Sequence, residues 1–189
     1  MSIVIALVGM CGSGKSSAAR FFNAVYGWPI VYLGQVTMDE VKRRGLQVSE
    51  KNERLVREDL RNIHGKGAYA ILTLPKINEV QANSPDTTVV LDGLYSWSEY
   101  EQFRDNLPGL ILVAIVSPKR VRYERLSSRL LRPLSKSEAA TRDEAEIVFS
   151  EKGGPIAIAD YFINNDDSFV SFHSRLDHFV DMMERAKNQ

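Results

Sequence analysis

Four unbroken apolar runs punctuate the chain: Ile3-Val4-Ile5-Ala6-Leu7-Val8, Ile30-Val31-Tyr32-Leu33, Thr88-Val89-Val90-Leu91 and Leu110-Ile111-Leu112-Val113-Ala114-Ile115-Val116. They are rich in β-branched residues and lack polar alternation, which predicts strands buried on both faces. A shorter and weaker run, Tyr161-Phe162-Ile163, predicts a fifth strand. Helix-like stretches lie between them. Phe169, Phe172, Leu176, Phe179, Val180 and Met183 recur at helical spacing and predict a closing amphipathic helix. Buried strands alternating with helices imply an α/β, three-layer architecture: a parallel sheet of about five strands with helices on both faces.

Two intervals exceed a simple crossover. Residues 34–85 are nearly all helix-like and predict an inserted helical flap over the strand ends. Residues 129–154 are charged and polar and predict a second insert, a lid, after the fourth strand's helix. No repeat, linker or low-complexity segment interrupts residues 1–189, so one domain with two inserts is expected.

Composition narrows the partners. The 24 basic and 24 acidic side chains cancel, so no global field favours nucleic acid or an anionic membrane. The single Cys11 cannot form an internal disulfide, as expected in a reducing cytoplasm. The first apolar run lacks a basic flank and is too short for a signal-peptide core or a membrane span, so a soluble, cytoplasmic chain is expected, monomeric or homodimeric.

Chemistry enters directly after the first run. Gly9-Met10-Cys11-Gly12-Ser13-Gly14-Lys15-Ser16 fits G-x-x-x-x-G-K-[ST], with a strand before it and a helix after it. Glycines let backbone N–H groups converge on phosphate oxygens, and the following helix presents its positive end. Lys15 is expected to reach the β- and γ-phosphates of ATP, the Ser16 hydroxyl to ligate Mg²⁺, and Ser17 to add a donor near the α-phosphate. Cys11 reads as a small tolerated residue in preference to an oxidation gate.

Asp92 ends the third run and is followed by Gly93, so it reads either as a turn former or, beside a phosphate loop, as the carboxylate that organises magnesium or polarises the attacking group. Arg122, Arg125, Arg129 and Arg132 recur at helical intervals, with Tyr123, Leu126 and Leu130 on another face. Such a stripe is commonly a solvated surface; here it leads into the polar insert, where Arg125 and Arg129 above all are candidates to cover transferring phosphate. Arg54, Arg57 and Arg61 form a similar stripe in the first insert, either contacts to an anionic acceptor or a solvated face. His64, His173 and His178 show no metal-ligand spacing and are expected at the surface.

These residues resemble the nucleoside monophosphate kinase group of P-loop proteins, most closely a branch described as adenylate-kinase-like or dephospho-CoA-kinase-like. The likeness runs through Gly9–Ser16, Val41-Lys42-Arg43-Arg44-Gly45-Leu46, Asp59-Leu60-Arg61 with Gly65, Asp92-Gly93, Ser117-Pro118, Arg122 to Leu126, Arg142-Asp143 and Ala159 to Asn165. The resemblance implies a P-loop NTPase fold, an acceptor-binding helical insert, an arginine-bearing lid, ATP as donor, and Asn165 near the adenine. Gly34, Arg57, Arg61 and Tyr95 would then serve the acceptor. The chain also departs from that pattern. Gln35 follows Gly34 where an aspartate is usual, Met38 takes an arginine's place, Leu94-Tyr95 replace another arginine, and Asp167 stands for a glycine. Two acceptor-phosphate contacts are therefore missing, which argues against an ordinary nucleoside monophosphate. The sequence implies an ATP·Mg²⁺-dependent kinase of a small phosphate-bearing molecule. The alternatives are an ATP-binding regulatory switch that transfers only to water and, among kinases, one acting on dephospho-CoA.

Overall fold

Parity along each strand decides which layer a side chain joins, because successive residues point to opposite faces of a sheet. In the computed structural model, which describes residues 3–130 and 133–187, the apolar runs form β1 (Val4–Val8), β2 (Ile30–Tyr32), β3 (Val89–Asp92), β4 (Leu110–Val116) and β5 (Tyr161–Asn164). All pair in parallel, in the order β2-β3-β1-β4-β5. The helices between them are α1 (Lys15–Tyr26), α2 (Gln35–Arg43), α3 (Glu50–His64), α4 (Ala68–Asn83), α5 (Trp97–Asn106), α6 (Lys119–Ser127), α7 (Lys136–Val148), α8 (Gly153–Ala157) and α9 (Phe169–Lys187). Val4, Ala6, Val8, Val89 and Leu91 pack beneath α2–α5, while Ile5, Leu7, Val90, Val113 and Ile115 pack against α1 and α9. Burial on both faces explains why these strands read as continuous apolar runs. The five-stranded parallel sheet with surrounding helices is a P-loop kinase-like α/β fold.

Register positions the site. Leu7 on β1 lies opposite Asp92 on β3, and Val116 on β4 opposite Asn164 on β5. The carboxyl ends of β1, β3, β4 and β5 therefore finish at one edge, where ligands of such sheets bind.

Several expectations are corrected. Residues 34–85 are not a flap throughout: α4 buries Ala68, Ala70 and Ile77 in the core, because the parallel β2-to-β3 connection needs a crossover element covering the sheet. Helix α6 ends at Ser127, so Leu130 falls beyond it and is 99% exposed instead of joining Tyr123 and Leu126. Phe169, the first residue of α9, is 73% exposed, while Phe172, Leu176, Phe179, Val180 and Met183 are buried as expected. His173 is half-buried, its ring 4.6 Å from that of Phe21; His64 and His178 are exposed. Arg132 lies outside the described residues. Among the described residues, no helix is long and apolar enough to cross a membrane.

Candidate functional site

The turn between β1 and α1 is held open by what crowds it. Gly9 and Gly14 have φ of 143° and 107°, in the left-handed region. A Cβ at Gly9 would strike the carbonyl oxygen of Ile115, and one at Gly14 the Asn165 side-chain amide. Only glycine serves at both. Gly14 is also the N-cap of α1, where no side chain caps the helix and the first turn carries no acid. The leading amides of α1 are thus left for an anion. Ser13 Oγ is buried and has no hydrogen-bond partner among the described residues.

Lys15 folds back over the loop and donates from Nζ to the carbonyls of Gly9 (2.7 Å) and Met10 (3.2 Å). Burial, with a second contribution from Lys152, lowers its pKa to about 8. Asp92 is 7% exposed; burial raises its pKa, against a hydrogen bond from Ser16 and the charge of Lys15. The β1–β3 register thus brings Lys15, Ser16 and Asp92 together although they are far apart in the chain. They line a cavity of about 1000 Å³ with Cys11, Gly12, Gly14 and Ser17 on the loop side and Arg125, Arg129 and Arg142 opposite.

The arginine stripe divides by role. Arg122 is buried, gives Asp143 two hydrogen bonds (2.8 and 2.6 Å) and donates to the Cys11 carbonyl (3.0 Å), so it ties α6 and α7 to the loop. Arg125 lines the cavity but also donates to the carbonyl and side-chain oxygens of Asn165 (2.9 and 3.1 Å). Arg129 lines the cavity from beyond the helix end and is exposed. Asn165 stands behind the loop: its Nδ2 donates to the Ser13 carbonyl at 2.8 Å, so its amide shapes the loop and is absent from the cavity lining.

A second cavity of about 570 Å³ adjoins the first. Gly34, Arg57, Arg61 and Tyr95 all line it, as does Met38. Arg57 pairs with buried Glu53, and the Arg61 guanidinium lies 5.5 Å from the centroid of Tyr69. Arg54 instead pairs with Glu58 on the exposed side of α3. Gln35 donates to Asp39 on the outer face of α2 and is not in the lining.

Sequence reasoning gave no site role to four charged residues here, although Arg142 was part of the family likeness. Arg142, Glu146 and Lys152 line both cavities. Glu99, on α5, is 1% exposed and accepts from the Tyr95 backbone N–H at 2.7 Å. A detectable signal was the Ser96 N-cap, whose Oγ accepts from the Glu99 N–H and so fixes where that side chain enters the core. Burial pushes the Glu99 carboxyl up to about 7. A carboxyl raised in the folded state contributes stability that is full below its unfolded pKa near 4.5 and is lost as pH rises through about 7. Glu99→Gln is expected to abolish this decline, about 3 kcal/mol between those limits, in denaturant titrations at a series of pH values.

The chain is similar to known proteins along most of its length. A family model described as an AAA domain matches residues 5–148. A UPF0200 protein of Pyrococcus abyssi is 37% identical over 174 residues, covering 90% of this chain and 91% of the relative. One from Thermococcus gammatolerans is 34% identical, covering 99% and 98%. Among solved structures, shikimate kinase from Bacteroides thetaiotaomicron superposes with a TM-score of 0.62 at 16% identity, covering 96% of this chain and 98% of that one. Dephospho-CoA kinase from Campylobacter jejuni gives 0.62 at 16%, covering 99% and 100%. These two likenesses show a shared fold. The family model spans most of the chain and relatives above 30% identity span nine tenths of it or more, so the chain belongs to the UPF0200 proteins and to the family described as an AAA domain.

Proposed function

We propose that the protein is an ATP- and Mg²⁺-dependent kinase that transfers the γ-phosphoryl group to a small, nucleotide-like, phosphate-bearing acceptor. The observation that carries this is the pair of adjoining cavities, which share Tyr32, Tyr95, Arg142, Glu146 and Lys152 as a common wall. A switch that transfers only to water needs the first cavity alone. Kinases need a second chamber whose contents meet the first, and neighbours of the same fold are named as shikimate and dephospho-CoA kinases.

The residues suit ATP and Mg²⁺. Uncapped amides at the start of α1, the unpartnered Ser13 Oγ and the Lys15 ammonium form a donor set for phosphate oxygens. Among the described residues, no cluster of three or more His, Cys, Asp and Glu forms a metal cage. Magnesium in such a site takes few protein ligands and keeps phosphate and water, a role that suits Ser16 with Asp92 beside it. Bound magnesium would neutralise charge developing on the phosphoryl oxygens. Lys15, Arg125 and Arg129 would add positive charge, and Asp92 would orient metal-bound water or the attacking group. Arg57 and Arg61 would hold the acceptor's anionic end. Dephospho-CoA ranks behind a nucleotide-like acceptor, since Gln35 sits outside both linings where such kinases place an aspartate.

The test is ADP formation with Mg²⁺ across a panel of nucleoside monophosphates, dephospho-CoA and a no-acceptor control. The proposal expects turnover that depends on one acceptor class. Equal ADP formation in every well would replace it with the hydrolytic switch.

A further inference from the structure

Where the two cavities meet, a carboxylate sits among donors suited to phosphate. Glu146, on α7, accepts through Oε2 from the Cys11 backbone N–H in the phosphate loop (3.2 Å) and pairs through the same oxygen with Lys152 Nζ (2.7 Å). Its Oε1 faces Arg142 Nε at 3.2 Å. The Glu146 side chain is 12% exposed and that of Lys152 only 2%. The Lys152 ammonium also lies 4.8 Å from the centroid of the Tyr95 ring, on the acceptor side. Lys15 is near enough that its charge and that of Glu146 act on each other.

A loop amide, a lysine and an arginine are the groups that hold phosphoryl oxygens. Here they converge on one of the protein's own carboxylates. Stability alone is a weak reason for that arrangement, because burying a lysine and a glutamate together costs desolvation that their attraction only offsets. A better reason is the company Lys152 keeps. Without Glu146, Lys15 and Lys152 would be two buried ammonium groups close enough for their charges to oppose each other. The carboxylate supplies the negative charge that an incoming phosphoryl group later brings.

We infer that Lys152 is a catalytic cation of the transfer site, contacting the transferring phosphoryl group together with Lys15 and Arg142, and that Glu146 holds that group's place until nucleotide displaces it. The inference rests on the kinase reading above and adds to it a residue from the second insert. It also predicts a specific asymmetry. Only a nucleotide with a terminal third phosphate competes with Glu146, so altering the carboxylate changes the preference for triphosphate over diphosphate.

The experiment titrates the imido analogue of ATP and, separately, ADP, each with Mg²⁺, into the wild-type protein, Glu146→Gln, Lys152→Met and Lys152→Arg. Each variant is first checked for a cooperative thermal melt. Glu146→Gln is expected to tighten the triphosphate analogue about tenfold and ADP less than about threefold. Lys152→Met is expected to weaken the analogue about tenfold, leave ADP nearly unchanged and lower kcat ~10²-fold, and Lys152→Arg to recover part of the loss. Should Lys152→Met fail to melt cooperatively, Glu146→Gln and Lys152→Arg carry the test. Nucleotide binding with the wild-type preference ratio in Glu146→Gln, or wild-type kcat in a folded Lys152→Met, overturns the inference and leaves the kinase reading standing. Absence of binding by both nucleotides in the wild type and in Glu146→Gln overturns the kinase reading, and the inference with it.

Discussion

Replacing Lys15 with alanine is expected to lower kcat by ~10³-fold, while shifting the melting temperature by no more than ~3 °C. The ammonium is the cation of the loop itself, held over it by the Gly9 and Met10 carbonyls. Phosphoryl transfer is positioning plus electrostatic stabilisation, so a missing preorganised charge appears almost wholly in the barrier. The fold tolerates the loss because Lys15 adds nothing to the apolar layers and sits, partly desolvated, near a second lysine. The same environment gives a pH signature. With a pKa of about 8 in the free protein, Lys15 loses its charge as pH rises through that value, so ATP affinity is expected to fall from pH 8 upwards. Steady-state ADP formation, ATP titrations over pH and a circular-dichroism melt check all three expectations.

The largest expected loss of stability comes from Arg122→Met. Its guanidinium forks onto Asp143 and donates to the Cys11 carbonyl, and the two side chains are only 8% and 13% exposed. Tyr123 adds a third bond to Asp143, at 3.2 Å. Removing the arginine strands a buried carboxylate and a loop carbonyl together, a loss of about 3–5 kcal/mol. The pair joins α6, α7 and the phosphate loop, so nucleotide affinity should fall with it. A double variant, Arg122→Met with Asp143→Leu, is expected to be more stable than Arg122→Met alone, since no charge is left unpaired. Denaturant titrations of the four proteins in this cycle decide the matter. A double variant losing the sum of the two single losses would show that the ion pair is not the source.

How much of this was legible in sequence depends on where the determinants lie. β1, β3 and β4, flanked by strands on both sides, left the clearest unbroken apolar runs, while the edge strands β2 and β5, each with exposed positions, left shorter ones; the phosphate loop was also visible, its glycines required by close contacts from β4 and Asn165. Asp92 was found because a parallel register puts strand ends at one level. The roles within the arginine stripe were not visible: helical spacing gave Arg122 and Arg125 neighbouring places, but only the position of Asp143 makes Arg122 structural. Leu130 misled because a three-and-four spacing continues past Ser127 while the helix does not. Glu146 and Lys152 lie in a segment whose charge suggests a solvated surface. Their burial arises because α7 and the residues before α8 fold back over the loop, a tertiary event with no local period. Glu99 was hidden for a similar reason: the Ser96 N-cap marks where its helix begins, but no local period marks that carboxyl as buried.

The most direct measurement of the central claim follows the label from ATP carrying ³²P in its γ-phosphate, incubated with Mg²⁺ and the acceptor panel, with Lys15→Ala as the blank. The account predicts label on one class of small acceptor, lost in the blank. Label appearing only as inorganic phosphate, at the same rate whatever acceptor is present, would contradict it.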